Sequence, residues 1–85
     1  MIPAEWIKPW ETTATADQVK KMKLGTKVTI VGADRFGECT RIECALVQSG
    51  KKKVLVYRDY AGNRVTKQIK DRDNKRFVVQ KEVIA

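Results

Sequence analysis

The chain has 85 residues, 42% hydrophobic and 33% charged, with 18 basic residues against 10 acidic ones and no histidine, a formal net charge of +8. A chain this short buries only about 60–65% of its unfolded surface, which excludes a large enzyme with a deep cleft. Leu, Ile, Val and Phe number 21 of 85, above the roughly 20% below which a highly charged chain tends to stay disordered, so one small folded domain is expected.

Residues 1–12 hold Pro3, Trp6, Pro9 and Trp10. The prolines push Ile2 and Lys8 to extended angles and oppose a long helix, which predicts an irregular arm. Thr15-Ala16-Asp17-Gln18 then reads as a capping box. Asp17 near the start and Lys20, Lys21 and Lys23 near the end suit the helix dipole, and Gly25 suits a left-handed stop. A short helix over 15–23 follows, with Val19, Met22 and Leu24 as its buried side.

Beyond Gly25, Val and Ile number 13 against 2 Leu, the composition of a pleated sheet. Lys27–Val31 alternates with Val28 and Ile30 inward, and residues 32–37 form a loop bounded by glycines. A second strand covers about 38–48, with Thr40, Ile42, Cys44 and Leu46 on one face and Arg41 and Glu43 on the other. Ser49-Gly50-Lys51 reads as a hairpin turn. Val54–Tyr57 is a third strand, 59–63 a second hairpin loop, and Val65, Lys67 and Ile69 share a face of a fourth strand. Residues 71–75 suggest one turn of 3₁₀ helix, and a fifth strand opens at Phe77-Val78-Val79 and runs toward Val83. The expected fold is mainly β: a five-stranded SH3-like barrel over 25–85, preceded over 1–24 by the arm and the short helix. A five-stranded OB-fold is the competitor, but the 59–63 gap is too short for the helix that fold usually inserts.

Residues 24–48, through Gly25, Val28, Ile30, Gly32 and Gly37, resemble a KOW-type SH3-like module, differing in the lack of a second glycine over 38–42. The resemblance implies the barrel, and a module that binds RNA, DNA or a neighbouring protein. Tudor-like modules share the barrel, but a methyl-lysine cage needs several convergent aromatics, and Phe36, Tyr57 and Tyr60 are the available rings.

Charge is unevenly spread. The excess is +1 through Leu24 and +7 afterwards, and residues 51–76 alone hold 10 basic and 3 acidic residues. A positive field of this kind attracts phosphate and releases counterions on binding. The candidate nucleic-acid contacts are Lys51, Lys52, Lys53, Arg58, Arg64, Lys67, Arg72 and Lys75, with Arg35, Phe36 and Tyr60 adjoining. Exposed rings there could stack on unpaired bases; the competing expectation is that Phe36 plugs one end of the barrel. No helix carries a basic reading face, so contacts to the phosphate backbone with little sequence discrimination are expected.

Val54–Tyr57 and Phe77–Val79 are apolar on both faces, so something must cover Leu55, Tyr57 and Val78. The arm with Trp6 and Trp10 is one cover; a second copy of the chain or a protein partner is another, since paired tryptophans also suit an interface. An adaptor or inhibitor docking on an acidic surface of a polymerase, ribosome or nuclease is therefore the alternative function. Both a monomer and a homodimer fit the sequence.

Catalysis is not expected. The usual general base near neutral pH is missing, and no phosphate loop, nucleophile elbow or dinucleotide fingerprint occurs. No cofactor is expected either, because two cysteines without histidine fall short of a zinc site. Cys39 and Cys44, five residues apart on one strand, lie about 16–17 Å apart by strand rise, too far for a disulfide. No stretch approaches the ~20 apolar residues that cross a bilayer, and the first residues lack a secretory signal's basic-then-apolar pattern, so a cytoplasmic protein without membrane contact is expected.

Overall fold

The computed structural model describes residues 4–72 and 75–84. It is mainly β. Six strands, β1 (Glu11–Ala14), β2 (Lys27–Ala33), β3 (Cys39–Ser49), β4 (Lys52–Arg58), β5 (Arg64–Lys67) and β6 (Lys75–Gln80), form one antiparallel sheet. Their order is β1-β6-β2-β3-β4-β5. Helix α1 (Ala16–Lys20) follows β1, and α2 (Lys81–Ile84) follows β6.

Local chemistry explains the first helix. The Thr15 hydroxyl accepts from the Gln18 amide at 3.2 Å, and the Gln18 side chain accepts from the Thr15 amide at 2.9 Å. Ala16 and Val19 are buried and Met22 packs against the core. The helix is shorter than expected, ending at Lys20, and Leu24 is exposed rather than buried. Gly25 has a φ of +90°, but it lies past the helix end, where its amide donates to the Leu46 carbonyl at 2.7 Å.

Alternation then builds the core. Val28 pairs across from Cys44, and Ile30 from Ile42. On the same face lie Leu46, Leu55, Phe77 and Val79, closed over by Ala16 and Val19 of α1 and by Ile69 after β5. Strand β3 joins the two halves of the sheet: its residues 39–45 pair with β2 and 45–49 with β4, sharing Ala45. The β3–β4 connection is a two-residue turn with Gly50 at a φ of +62°, a conformation that favours glycine at the first central position of a hairpin.

Several expectations need correction. The sheet has six strands, not five, and it is open: edge strands β1 and β5 are not paired with each other. The arm is not irregular throughout. Ala4–Trp6 forms a 3₁₀ turn, and Glu11–Ala14 is a strand on the outer edge of β6. The glycine-bounded loop is shorter than drawn, because β2 runs through Gly32 to Ala33. The last strand ends at Gln80, and Lys81–Ile84 is helical. Of the 3₁₀ turn expected over 71–75, residues 73 and 74 lie outside the described residues; Arg72 and Lys75 form a β-bridge.

The second face of the sheet is covered where the arm is tied down. Val31 and Val78 are fully buried there, on the side that also bears Arg41 and Glu11 by register. Arg41 donates to Glu11 Oε2 at 2.7 Å and to the Trp6 carbonyl at 2.8 Å. Glu11 sits on β1 and Arg41 on β3, with β6 and β2 between, so this ion pair crosses the sheet and anchors the arm. Burial pushes the Glu11 carboxyl up, but the Arg41 guanidinium, the Lys8 amide and the charges of Arg41 and Lys8 outweigh it and hold the pKa below the usual carboxylate range. Leu55 and Tyr57, by contrast, face the core: Leu55 belongs to the cluster that Ala16 and Val19 of α1 join, and Tyr57 packs against it.

Candidate functional site

The β3–β4 turn, the segment after β5 and the start of β6 enclose a basic groove. Its larger part, about 480 Å³, is walled by Lys20, Lys51, Lys52, Lys53 and Lys70, with Gln48 and Gln68 between them and Val54 and Ile69 as apolar lining. A smaller depression of about 130 Å³ adjoins it, sharing Gln68 and Lys70 and adding Lys67, Arg72, Lys75 and Arg76. A third, of about 430 Å³, continues past Arg72, Lys75 and Arg76 toward the start of α1 and includes Asp71. Among the described residues, no carboxylate lines the first two.

The fold brings these cations together because β5 runs antiparallel to β4, with Lys67 opposite Leu55. The chain leaving β5 therefore returns toward the end where Lys52 begins β4. Ile69 is buried in the core and pins the segment, which leaves Gln68 and Lys70 exposed on either side of it. Lys53 reaches across to the turn that follows α1 and donates to the Met22 carbonyl at 2.9 Å. Asp71 Oδ1 accepts the Ala16 amide at 3.0 Å, joining the other end of the segment to the same helix. Lys20, Lys51, Lys52, Lys67, Lys70, Arg72 and Lys75 have no carboxylate within ion-pair distance among the described residues.

Six of the candidate contacts thus converge: Lys51, Lys52, Lys53, Lys67, Arg72 and Lys75. Arg58, Tyr60 and Arg64 do not. They lie at the opposite end of the β4–β5 hairpin, where Arg58 pairs with Arg64, six residues or about 20 Å of strand from Lys52. Arg58 is occupied by the Gly62 carbonyl at 3.0 Å, and the Tyr60 ring is fully exposed. Arg35 and Phe36 lie outside the groove on the β2–β3 loop. Phe36 is 80% exposed, with the Arg35 guanidinium 5.6 Å from its ring centroid. The expectation that Phe36 plugs the barrel is therefore overturned: Asp34 folds the loop outward by accepting the amides of Phe36 and Glu38. Trp6 is half-buried in the arm, while Trp10 is 57% exposed.

Lys20, Lys70 and Arg76 join the groove without having been singled out. Lys70 and Arg76 belong to the basic run already visible in the sequence. Lys20 follows the buried Val19 on α1, and only the docking of that helix brings it near Lys51–Lys53.

Cys39 and Cys44 are both free. Burial pushes the Cys44 thiol up to about 11, against a smaller opposing pull from Lys67, which makes it a poor nucleophile. Among the described residues, no cluster of three or more His, Cys, Asp or Glu could hold a metal ion, and no helix is long and apolar enough to cross a membrane.

Fold and site together define a small, mainly β protein with a lysine-rich groove on one end of its sheet. No protein-family model matches the chain, and it has no match among curated proteins or solved structures.

Proposed function

We propose that this is a nucleic-acid-binding protein that holds the phosphate backbone in the basic groove with little sequence discrimination. The observation that carries the reading is the convergence of nine lysines and arginines around two adjoining depressions that, among the described residues, no carboxylate lines. Such a concentration of one sign favours a polyanion and releases counterions when one binds. An SH3-like module of KOW type is the architecture we infer for the part beyond Gly25. Its support is the meander β2-β3-β4-β5 with β6 returning to pair with β2.

The test is a titration by fluorescence anisotropy over a salt series. Of the five lysines in the larger depression, Lys53 is held by Met22, which leaves four exposed ammonium groups for phosphate. Four neutralised phosphates give a log–log slope of about −3.6 on duplex DNA and about −2.8 on a single strand. Absence of binding to any strand at low salt would overturn the reading.

The exposed Trp10 favours a second reading, an adaptor docking on an acidic protein surface with the basic residues steering association. Trp10→Ala separates the two. Loss of protein capture that survives nuclease, with nucleic-acid affinity unchanged, supports the adaptor.

A further inference from the structure

We infer that the groove takes a single-stranded phosphodiester chain rather than a duplex, an inference that rests on the nucleic-acid reading above. Proteins that read duplexes push a protruding helix or ribbon into a groove of the nucleic acid. Proteins that hold single strands draw the chain into a positive recess of their own. Here the cations surround a recess. The lysine-bearing β3–β4 hairpin runs past the ends of its neighbours β2 and β5 but is pinned at its base: Lys53 donates to the Met22 carbonyl at 2.9 Å, and Val54 beside it is buried. Helix α1 is five residues long and turns Ala16 and Val19 into the core, so it offers no reading face.

The lining of the recess points the same way. Val54 and Ile69 are buried beneath its floor, so the apolar surface among the charges comes from the methylene stems of the lysines. That surface benefits a ligand with an uncovered base face; in a duplex those faces are already stacked on one another. The smaller depression, about 130 Å³ and walled by Lys67, Lys70, Arg72 and Lys75 among others, suits one phosphate group. Gln68 and Lys70 border both spaces. A strand passing between them would set a base against the lysine stems and its neighbouring phosphate among the ammonium and guanidinium groups. The chemistry is common to DNA and RNA.

The test compares labelled dT12, rU12 and a 12-base-pair DNA duplex by anisotropy at one salt concentration. At least one single strand should bind tenfold or more tighter than the duplex. Equal or tighter duplex binding overturns this inference and leaves the parent reading standing, whereas no binding by any of the three removes both. Two charge reversals locate the site. Lys70→Glu should weaken single-strand binding tenfold or more, and Arg64→Glu, the same change of charge at the far end of the hairpin, less than threefold. Equal losses from the two would show that net charge, not the groove, governs binding, and would also overturn the inference.

Discussion

Replacing Arg41 by Met should loosen the arm and destabilise the whole sheet. The substitution keeps an apolar stem beside Val31, the cross-strand neighbour of Arg41, while removing the guanidinium. Two charge-assisted bonds are lost, to Glu11 at 2.7 Å and to the Trp6 carbonyl at 2.8 Å. The Glu11 side chain is only 6% exposed and that of Arg41 29%, so water replaces the lost partner poorly on the carboxylate side. Glu11 keeps the Lys8 amide at 3.0 Å, which limits the damage. Hydrogen bonds to charged groups contribute about 1.5–3 kcal/mol each, and removing one partner of a buried pair costs about 3–5 kcal/mol. For this half-open pair with one bond retained, about 2–3 kcal/mol is expected. In a domain of this size that lowers the Tm by about 10–20 °C, read by circular dichroism at pH 7. The pair also carries a pH signature. The Glu11 pKa is depressed in the folded state, so its contribution is complete above the unfolded value near 4.5 and is lost as pH falls through the folded value. The gap between wild type and R41M should therefore be full at neutral pH and narrow below about pH 4.5. A change under about 0.5 kcal/mol at pH 7, the size of an exposed surface pair, would refute the argument that this contact anchors the arm.

Thr15→Ala removes the reciprocal cap of α1 and should cost about 1 kcal/mol, measured by urea denaturation with an unchanged m-value. Alkylation by iodoacetamide at pH 8 should label Cys39 quickly and Cys44 only on unfolding, because Cys39 is exposed while the buried Cys44 thiol is pushed up to about 11; mass spectrometry of peptides distinguishes the two.

The parts of the fold that could be read from sequence are those decided within a few residues. The capping box at Thr15 and Gln18, the turn at Gly50, and the inward sets Val28/Ile30 and Cys44/Leu46 all follow from local hydrogen bonding or a period of two. Strand β1 escaped because Glu11-Thr12-Thr13-Ala14 has no apolar alternation, and its pairing with β6 joins residues more than sixty positions apart, Thr13 with Val78 for one. Phe36 shows the same limit. A lone aromatic in a loop carries no local signal of which way it turns, and Asp34 settled it by taking the Phe36 and Glu38 amides. For the candidate site, the density of positive charge was visible in residues 51–76, but its gathering was not. That required knowing that β5 returns along β4 and that α1 docks beside the β3–β4 hairpin, which moved Lys20 in and left Arg58 and Arg64 out.

The acidic residues explain why the groove stays positive. Asp34 and Asp59 each spend a carboxylate oxygen on two loop amides. Asp71 holds the first amide of α1, and Glu11 holds Lys8 and Arg41. These carboxylates are taken up by backbone amides and by Arg41, so among the described residues Lys20, Lys51, Lys52, Lys67, Lys70, Arg72 and Lys75 crowd like charge together with no carboxylate within ion-pair distance. That arrangement costs stability unless a ligand offsets it, and it predicts the effect of restoring an acid. Gln68→Glu places a carboxylate at the junction of the two depressions, between Lys67 and Lys70, on an exposed residue that the core does not use. Unfolding free energy should hold or rise by up to about 0.5 kcal/mol, as for exposed pairs. Binding to a single strand should weaken by about tenfold, and the log–log salt slope should shrink by about 0.7 because one phosphate's worth of counterion release is lost. If Q68E binds as wild type does with the same slope, the phosphate chain does not pass through this junction, and the groove is not the site.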